Sequence, residues 1–270
     1  MTTRIASFAL GCFVPVPCAG CGLPADPRWP VSGLCPGCRV VLASATPREG
    51  RLPDAPPTPP PGARKPAAHA RGSRLPDARS PDIRLPGARS PDIRLLWALR
   101  YHDPVSRLVL DFKNHHRVDL AGALAAPLAK TIEAAHGGTR SSPALLVPIP
   151  GRAAGFTRRG YHPVDMLIRR TGHPPLRLLE WAHTPRDQLG LSSAERAQNL
   201  AGTLRVRPRD SVARVSSRSG TSPAARNPNL WVVDDVCTSG ATLREAVRAL
   251  RDAGLPPAGV LVLARAARFV

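Results

Sequence analysis

The stretch Leu230–Leu243, LWVVDDVCTSGATL, decides how this chain folds. Leu230, Trp231, Val232 and Val233 form a short apolar run suited to a buried strand. The run ends on two carboxylates, Asp234 and Asp235, and a small-residue turn follows, Thr238-Ser239-Gly240-Ala241-Thr242. An apolar-periodic helix is expected next, from Leu243 to Ala253, stopped by Gly254. Such an order suits a sugar phosphate. Open α/β sheets place ligands at the carboxyl ends of their strands. The turn then offers hydroxyls, backbone N–H groups and a helix N-terminus to a phosphate.

This segment resembles the phosphoribosyl-pyrophosphate (PRPP) signature of type I phosphoribosyltransferases: an apolar strand, two acids, then a T-x-G-x-T loop. The resemblance implies that Asp234 and Asp235 hold the ribose 2- and 3-hydroxyls, one of them through magnesium-bound water, as the catalytic acids. It also implies that Thr238, Ser239, Gly240, Ala241 and Thr242 wrap the 5-phosphate. Cys237, inside the loop, reads as a small filler.

Four of the six cysteines fall in the pattern C-x2-C-x13-C-x2-C, at Cys18, Cys21, Cys35 and Cys38. Each C-x2-C can close as a knuckle on one metal, and four thiolates make the tetrahedral set of structural zinc. The chain is expected to be cytoplasmic, which disfavours two disulfides. No βαβ pattern surrounds either pair, which disfavours a redox motif. Cys12 and Cys237 lie outside the set.

The formal charge is +19, from 38 basic and 19 acidic residues. That balance favours polyanionic partners. Yet residues 48–94 and 205–228 together carry +10 of it, in stretches rich in Pro, Ser and Arg where charge is usually solvated. Residues 46–94 read as a disordered Pro/Arg-rich linker, with a tandem repeat across 74–93 (RLPDARSPDI, RLPGARSPDI). Residues 206–228 read as a mobile basic loop. No stretch approaches 18 consecutive apolar residues, so no membrane span is expected.

Beyond the linker, Leu95–Asn114 reads as two helical pieces split at Asp103-Pro104. A helix with Asp119 as N-cap follows, with Leu120, Leu124, Leu128 and Ile132 on one stripe. Ala144–Ile149 reads as a strand that runs into a Gly- and Arg-rich loop, 150–161. Arg158, Arg159 and Gly160 in that loop could cradle a pyrophosphate. Farther on, Ser192 with Glu195 fits a capping box. Arg196 and Asn199 fall three apart on one helical face, where they could line a site or simply face solvent. A last strand is expected at Val260–Ala264.

Taken together, these pieces resemble the ComF competence family of phosphoribosyltransferase-like proteins. The features in common are the zinc module, Tyr101 and Lys113 in a helical segment (Lys113, like Arg196 and Asn199, a candidate to line the site), Pro148-x-Pro150, and Arg159-Gly160-aromatic. The R-x-Q…L-S…R-x-x-N stretch and the DD-V-x-T-x-G-A-T loop complete the set. The resemblance spans residues 1–45 and 95–270. One departure is local: after Arg159-Gly160 the family has Phe-Asn-Gln, and this chain has Tyr161-His162-Pro163.

The resemblance implies an α/β fold, with a parallel-sheet, Rossmann-like type I phosphoribosyltransferase domain at 95–270, a zinc-knuckle module at 1–45 and the linker at 46–94. It implies structural zinc on the four cysteines, magnesium with PRPP or a related ribose phosphate, and phosphoribosyl transfer to an acceptor that the sequence does not name. The alternative is a non-catalytic adaptor that binds nucleotide or single-stranded DNA, with a helicase-like competence partner, peripheral at the inner face of the membrane. The scarcity of aromatics, 4% of residues, weighs against base stacking on single strands.

Overall fold

Apolar runs in this chain come with two periods, and each finds its place around one sheet. A computed structural model describes residues 17–24, 26, 33–52, 93–136, 143–183, 199–207, 215 and 229–267. In chain order the elements are α1 (Pro36–Ala43), β1 (Arg48–Leu52), β2 (Ile93–Arg100), α2 (Val105–Asn114), α3 (Ala121–Ala135) and β3 (Leu145–Pro148). They continue with α4 (Ala153–Arg159), α5 (Pro163–Arg170), β4 (Leu179–Trp181), β5 (Leu204–Val206), β6 (Leu230–Cys237), then α6 (Ala241–Asp252) and β7 (Gly259–Arg265).

The main sheet has the order β1-β2-β7-β6-β3. Its four inner and right-hand strands run parallel, and only β1 is antiparallel, on the edge beside β2. Strands buried on both faces need helices on both sides. One face carries Leu96, Ala98, Trp231, Val233, Leu261 and Leu263 against α2, α3 and α5. The other carries Leu95, Val147, Val232, Val260 and Val262 against α6 and the two-stranded β4–β5 ribbon. Strand alternation thus feeds two separate cores. Trp231 lies directly over Gly259, its register partner on β7, where any side chain would collide with the indole. The indole N–H donates to Asn229 Oδ1 at 2.8 Å.

The expected stripe on α3 is present: Leu120, Leu124, Leu128 and Ile132 are fully buried. Asp119 is not its cap. It sits in a 3-10 turn, Val118–Leu120, and pairs with Arg117 at 2.8 Å. The expected strands at Ala144–Ile149 and Val260–Ala264 and the helix after Gly240 are all found, with ends shifted by a residue or two.

Two further expectations for local structure fail. The first half of Leu95–Asn114 is strand β2, not helix. A run of Leu, Trp and Ala favours helix by propensity, but here it is inserted between β1 and β7 and fills both cores, so tertiary context wins. The stretch after β3 is not all loop. Ala153–Arg159 is helical, ending on Gly160 in the left-handed region at φ 75°. Ala-Ala and two Arg are good helix formers, and glycine at that end supplies the stop.

The span 46–94 contributes to the sheet at both its ends. Arg48–Leu52 forms β1, and Ile93 and Arg94 open β2, with Arg94 paired to Glu49 at 2.8 Å. The tandem repeat, up to residue 92, lies outside the described residues. Val206, expected in the basic loop, closes β5, and Val215 is buried. The remainder of 208–228 is outside the described residues, as is the 192–195 capping box.

The cysteine segment shares the core of the sheet. Cys18, Leu34, Cys35, Cys38, Leu42 and Ala45 pack in one cluster with the residues of α2, α3 and α5. Lys130 on α3 donates its ammonium to the carbonyls of Ala43 and Ala45, at 2.6 and 3.0 Å, and so caps the end of α1.

Candidate functional site

Because β2, β7, β6 and β3 are parallel, their carboxyl ends share one edge of the sheet, and the chemistry gathers there. The pleat of β6 decides what each acid meets. Trp231 and Val233 face the α2/α3/α5 layer, and Asp235 continues on that side. Its Oδ2 meets Lys113 Nζ from α2 at 2.6 Å, and Asp235 is only 3% exposed. Val232 and Asp234 take the opposite pleat. Asp234 lines a small pocket with Val236, Thr238, Ser239 and Gly240.

The two carboxylates remain electrically coupled. Burial pushes the Asp234 carboxyl up, the neighbouring Asp235 charge adds to this, and Lys113 opposes it. The result is about 8. Its Oδ1 also accepts the Asp235 N–H at 2.9 Å. Burial alone would lower the Lys113 ammonium. Asp235 and Asp234 outweigh that, so Lys113 stays firmly charged. One fixed cation therefore serves two acids.

The loop that follows is shaped at Gly240, whose φ of 70° and ψ of 4° lie in the left-handed region. A Cβ strains that conformation. Helix α6 begins immediately after it, with no side-chain cap bond and no acid in its first turn. The Ala241 N–H donates to Ser239 Oγ at 3.4 Å, and the N–H groups of this helix end carry the partial positive charge that favours anions. Arg244 braces the loop by donating to Ser239 O at 2.9 Å. Cys237 is 1% exposed, and burial, reinforced by the Asp234 charge, pushes its thiol up to about 12. It is a packing residue and no nucleophile near neutral pH.

The pocket is closed from one side by Leu200, just ahead of β5. What places it is a buried acid that the sequence reading passed over. Glu245 on α6, 5% exposed, accepts the N–H of Leu204 at 3.0 Å. Arg248 binds both Glu245 oxygens and the Leu204 carbonyl. The only advance sign was an acid on the apolar stripe of α6. Asn199 lies beside Leu200 and is half-buried. Arg196 is outside the described residues.

On the β3 side, Ile149 N–H donates to Val233 O at 2.9 Å and holds the two strand ends together. Arg158 is exposed and donates to Asn114 Oδ1 at 3.2 Å. Arg159 Nε is buried with no partner among the described residues. Tyr161 donates its hydroxyl to the Phe112 carbonyl, with the two rings 5.7 Å apart. His162 stacks on Phe156 at 4.7 Å, and Pro163 opens α5. The Tyr161-His162-Pro163 segment therefore packs, tying the turn between α4 and α5 to α2 through Tyr161 and to α4 through His162.

The four cysteines come together as their spacing predicts. Their sulfurs all lie within 4.8 Å of one another. A tetrahedron with ~2.3 Å metal–sulfur bonds has edges of about 3.8 Å, and Cys21 Sγ and Cys35 Sγ stand 3.6 Å apart. Three of the sulfurs are buried and only Cys21 is exposed. Burial pushes the Cys18 thiol up, but N–H groups of Cys35, Cys21 and Gly20 overcome this and bring it down to about 6. Side chains added at Gly20 would press on Cys38 Sγ at 2.6 Å. The cluster could bind a metal such as zinc.

No family model matches the chain, and no curated protein is significantly similar to it. What fold and site define together is an α/β protein with a mostly parallel central sheet and a four-cysteine cluster near its amino terminus. Among the described residues no helix is long and apolar enough to cross a membrane.

Proposed function

We propose that this chain is a ComF-like protein of type I phosphoribosyltransferase architecture that binds magnesium-PRPP, or a related ribose phosphate, at the carboxyl edge of its sheet. One observation carries the reading. An acid pair lies near the end of β6, and five residues after Asp235 a left-handed glycine opens the N-terminus of a 12-residue helix with no acid in its first turn. Acids for ribose hydroxyls and N–H donors for a phosphate thus lie on one continuous turn.

In the proposed reaction an acceptor atom attacks C1 of the ribose. A bond forms from the acceptor to C1, the C1–oxygen bond to pyrophosphate breaks, and the acceptor gives up a proton. Loop 238–242 would hold the 5-phosphate through N–H groups and the hydroxyls of Thr238, Ser239 and Thr242. Asp234 would orient the ribose hydroxyls, and Leu200 would exclude water from that side. Arg158 and Arg159 lie after the neighbouring strand, where guanidinium groups would stabilise a departing pyrophosphate. Magnesium, when bound with PRPP, would neutralise pyrophosphate charge and polarise the leaving oxygen. The Asp234 and Asp235 oxygens, opposed by a single Lys113, suit a site that takes up further positive charge. The cysteine cluster would hold structural zinc, since four thiolates leave no open coordination position.

Calorimetric titration of magnesium-PRPP into the protein tests the reading, paired with pyrophosphate release over a panel of nucleobases and amines. Binding with release for one acceptor makes it a transferase. Binding without release favours the non-catalytic adaptor, whose single-strand DNA affinity would fall steeply with salt. Absence of binding refutes the proposal.

A further inference from the structure

We infer that Lys113 is a positioning residue: it reserves Asp235 for the protein and leaves Asp234 as the acid that meets the ligand. The inference rests on the ribose-phosphate reading and narrows it, because the motif alone treats the two acids as equivalent. The strand does not. Asp235 is 3% exposed and bound to Lys113 at 2.6 Å, while Asp234 lines the pocket with the phosphate loop.

Lys113 is unusually well fixed for a lysine. The Phe112 side chain before it is 1% exposed, and the Phe112 carbonyl accepts the Tyr161 hydroxyl. Asn114 after it accepts from Arg158. Three successive residues of α2 are thus held from α4, the turn into α5 and β6. The ammonium reaches Asp235 from a rigid base, so its carboxylate is held in one orientation. With Oδ2 committed to that face, Asp235 sets the end of β6 and the direction of Asp234. Lysine is also scarce here: the chain has Lys65, Lys113 and Lys130 against a large excess of arginine. A single compact cation reaches one carboxylate oxygen where a guanidinium fork would span both acids.

The test is a double-mutant cycle read by magnesium-PRPP calorimetry and by melting without ligand. Asp234→Asn is expected to weaken binding at least ~100-fold, the loss of a direct contact. Lys113→Met is expected to weaken it about tenfold, because it leaves a buried carboxylate unpaired. Asp235→Asn alone should cost less, since Lys113 is a third exposed and can turn to water. The double variant Lys113→Met/Asp235→Asn is expected to bind within about threefold of wild type and to recover the melting temperature lost in Lys113→Met. Asp235→Asn as damaging as Asp234→Asn, with no recovery in the double variant, would make Asp235 a direct ligand and overturn the inference. Wild type that binds no magnesium-PRPP overturns the site reading itself, and the ligand half of this inference with it. A melting cycle without coupling overturns the Lys113–Asp235 pairing independently.

Discussion

The four thiols near the amino terminus and the two carboxylates at the end of β6 both crowd groups that repel when ionised, and they are balanced in opposite ways. The thiols come from one short piece of chain, residues 18–38, and the fold brings one guanidinium, Arg117, close enough to feel the Cys18 charge. Backbone N–H groups lower one thiol, and burial, with its neighbouring thiols, raises Cys38. That arrangement is poised for an external cation. The carboxylates are served by the fold itself, through a lysine on another element. The balance is incomplete, and Asp234 remains uphill to ionise. The thiol cluster leaves most of its charge to be met from outside; the candidate ligand site pairs one of its two acids from within the fold.

The largest effect should come from the thiols. Cys38→Ser, or stripping by a strong chelator, is expected to lower the melting temperature by more than ~10 °C, since structural zinc contributes on the order of 10 kcal/mol in small modules. Calorimetry with metal analysis checks this, with one zinc per chain expected in the wild type. A drop smaller than that of Lys113→Met would break the contrast, because the thiols would then be held by packing alone. Next comes Lys113→Met, expected to cost about 2–3 kcal/mol, below the fully buried range because the lysine is partly exposed. Chemical denaturation measures it. Glu245→Ala should cost about 1–2 kcal/mol by orphaning the Leu204 N–H. Its exchange with deuterium should rise at Leu204 while the Lys113–Asp235 region is unchanged.

A last expectation is a pH dependence. The Asp234 carboxyl is raised in the folded state, so between about pH 4 and 8 the folded chain keeps a proton that the unfolded chain releases. That group therefore drains stability as pH rises through the window. Asp234→Asn is expected to melt like wild type near pH 4 and above it at pH 8, with the gap widening as pH rises through the window. An advantage that shrinks toward pH 8 would mean that Asp234 is ionised and compensated after all.

How much could be read beforehand follows from how local each signal is. The cysteine set was legible because knuckle spacing is a property of a few adjacent residues. The turn at Gly240 and the acid pair were legible for the same reason. Lys113 was visible only as a neighbour of the site, since nothing in the sequence pairs it with Asp235 across the core. Glu245 was missed because its partner is a backbone N–H on the β4–β5 ribbon. Strand β2 was misread because a short apolar run fits a buried strand or a buried helix equally well. Its decisive neighbour, β1, lies inside a stretch whose composition promised no structure. The Arg-rich stretch after β3 misled for another reason: arginine is common in this chain and carries little positional information.

Leu52 at the end of β1 and Ile93 at the start of β2 are direct register partners. The chain departs from the ladder at Leu52 and rejoins it at Ile93, side by side, as at the mouth of a hairpin. Closing a chain segment costs only about 0.6 kcal/mol more for each doubling of its length. A tandem copy of ten residues, such as RLPDARSPDI beside RLPGARSPDI, can therefore be gained or lost there without disturbing any strand register. The hairpin is a place where this lineage can lengthen its gene almost neutrally, and where an experimenter can splice in a tag or a reporter.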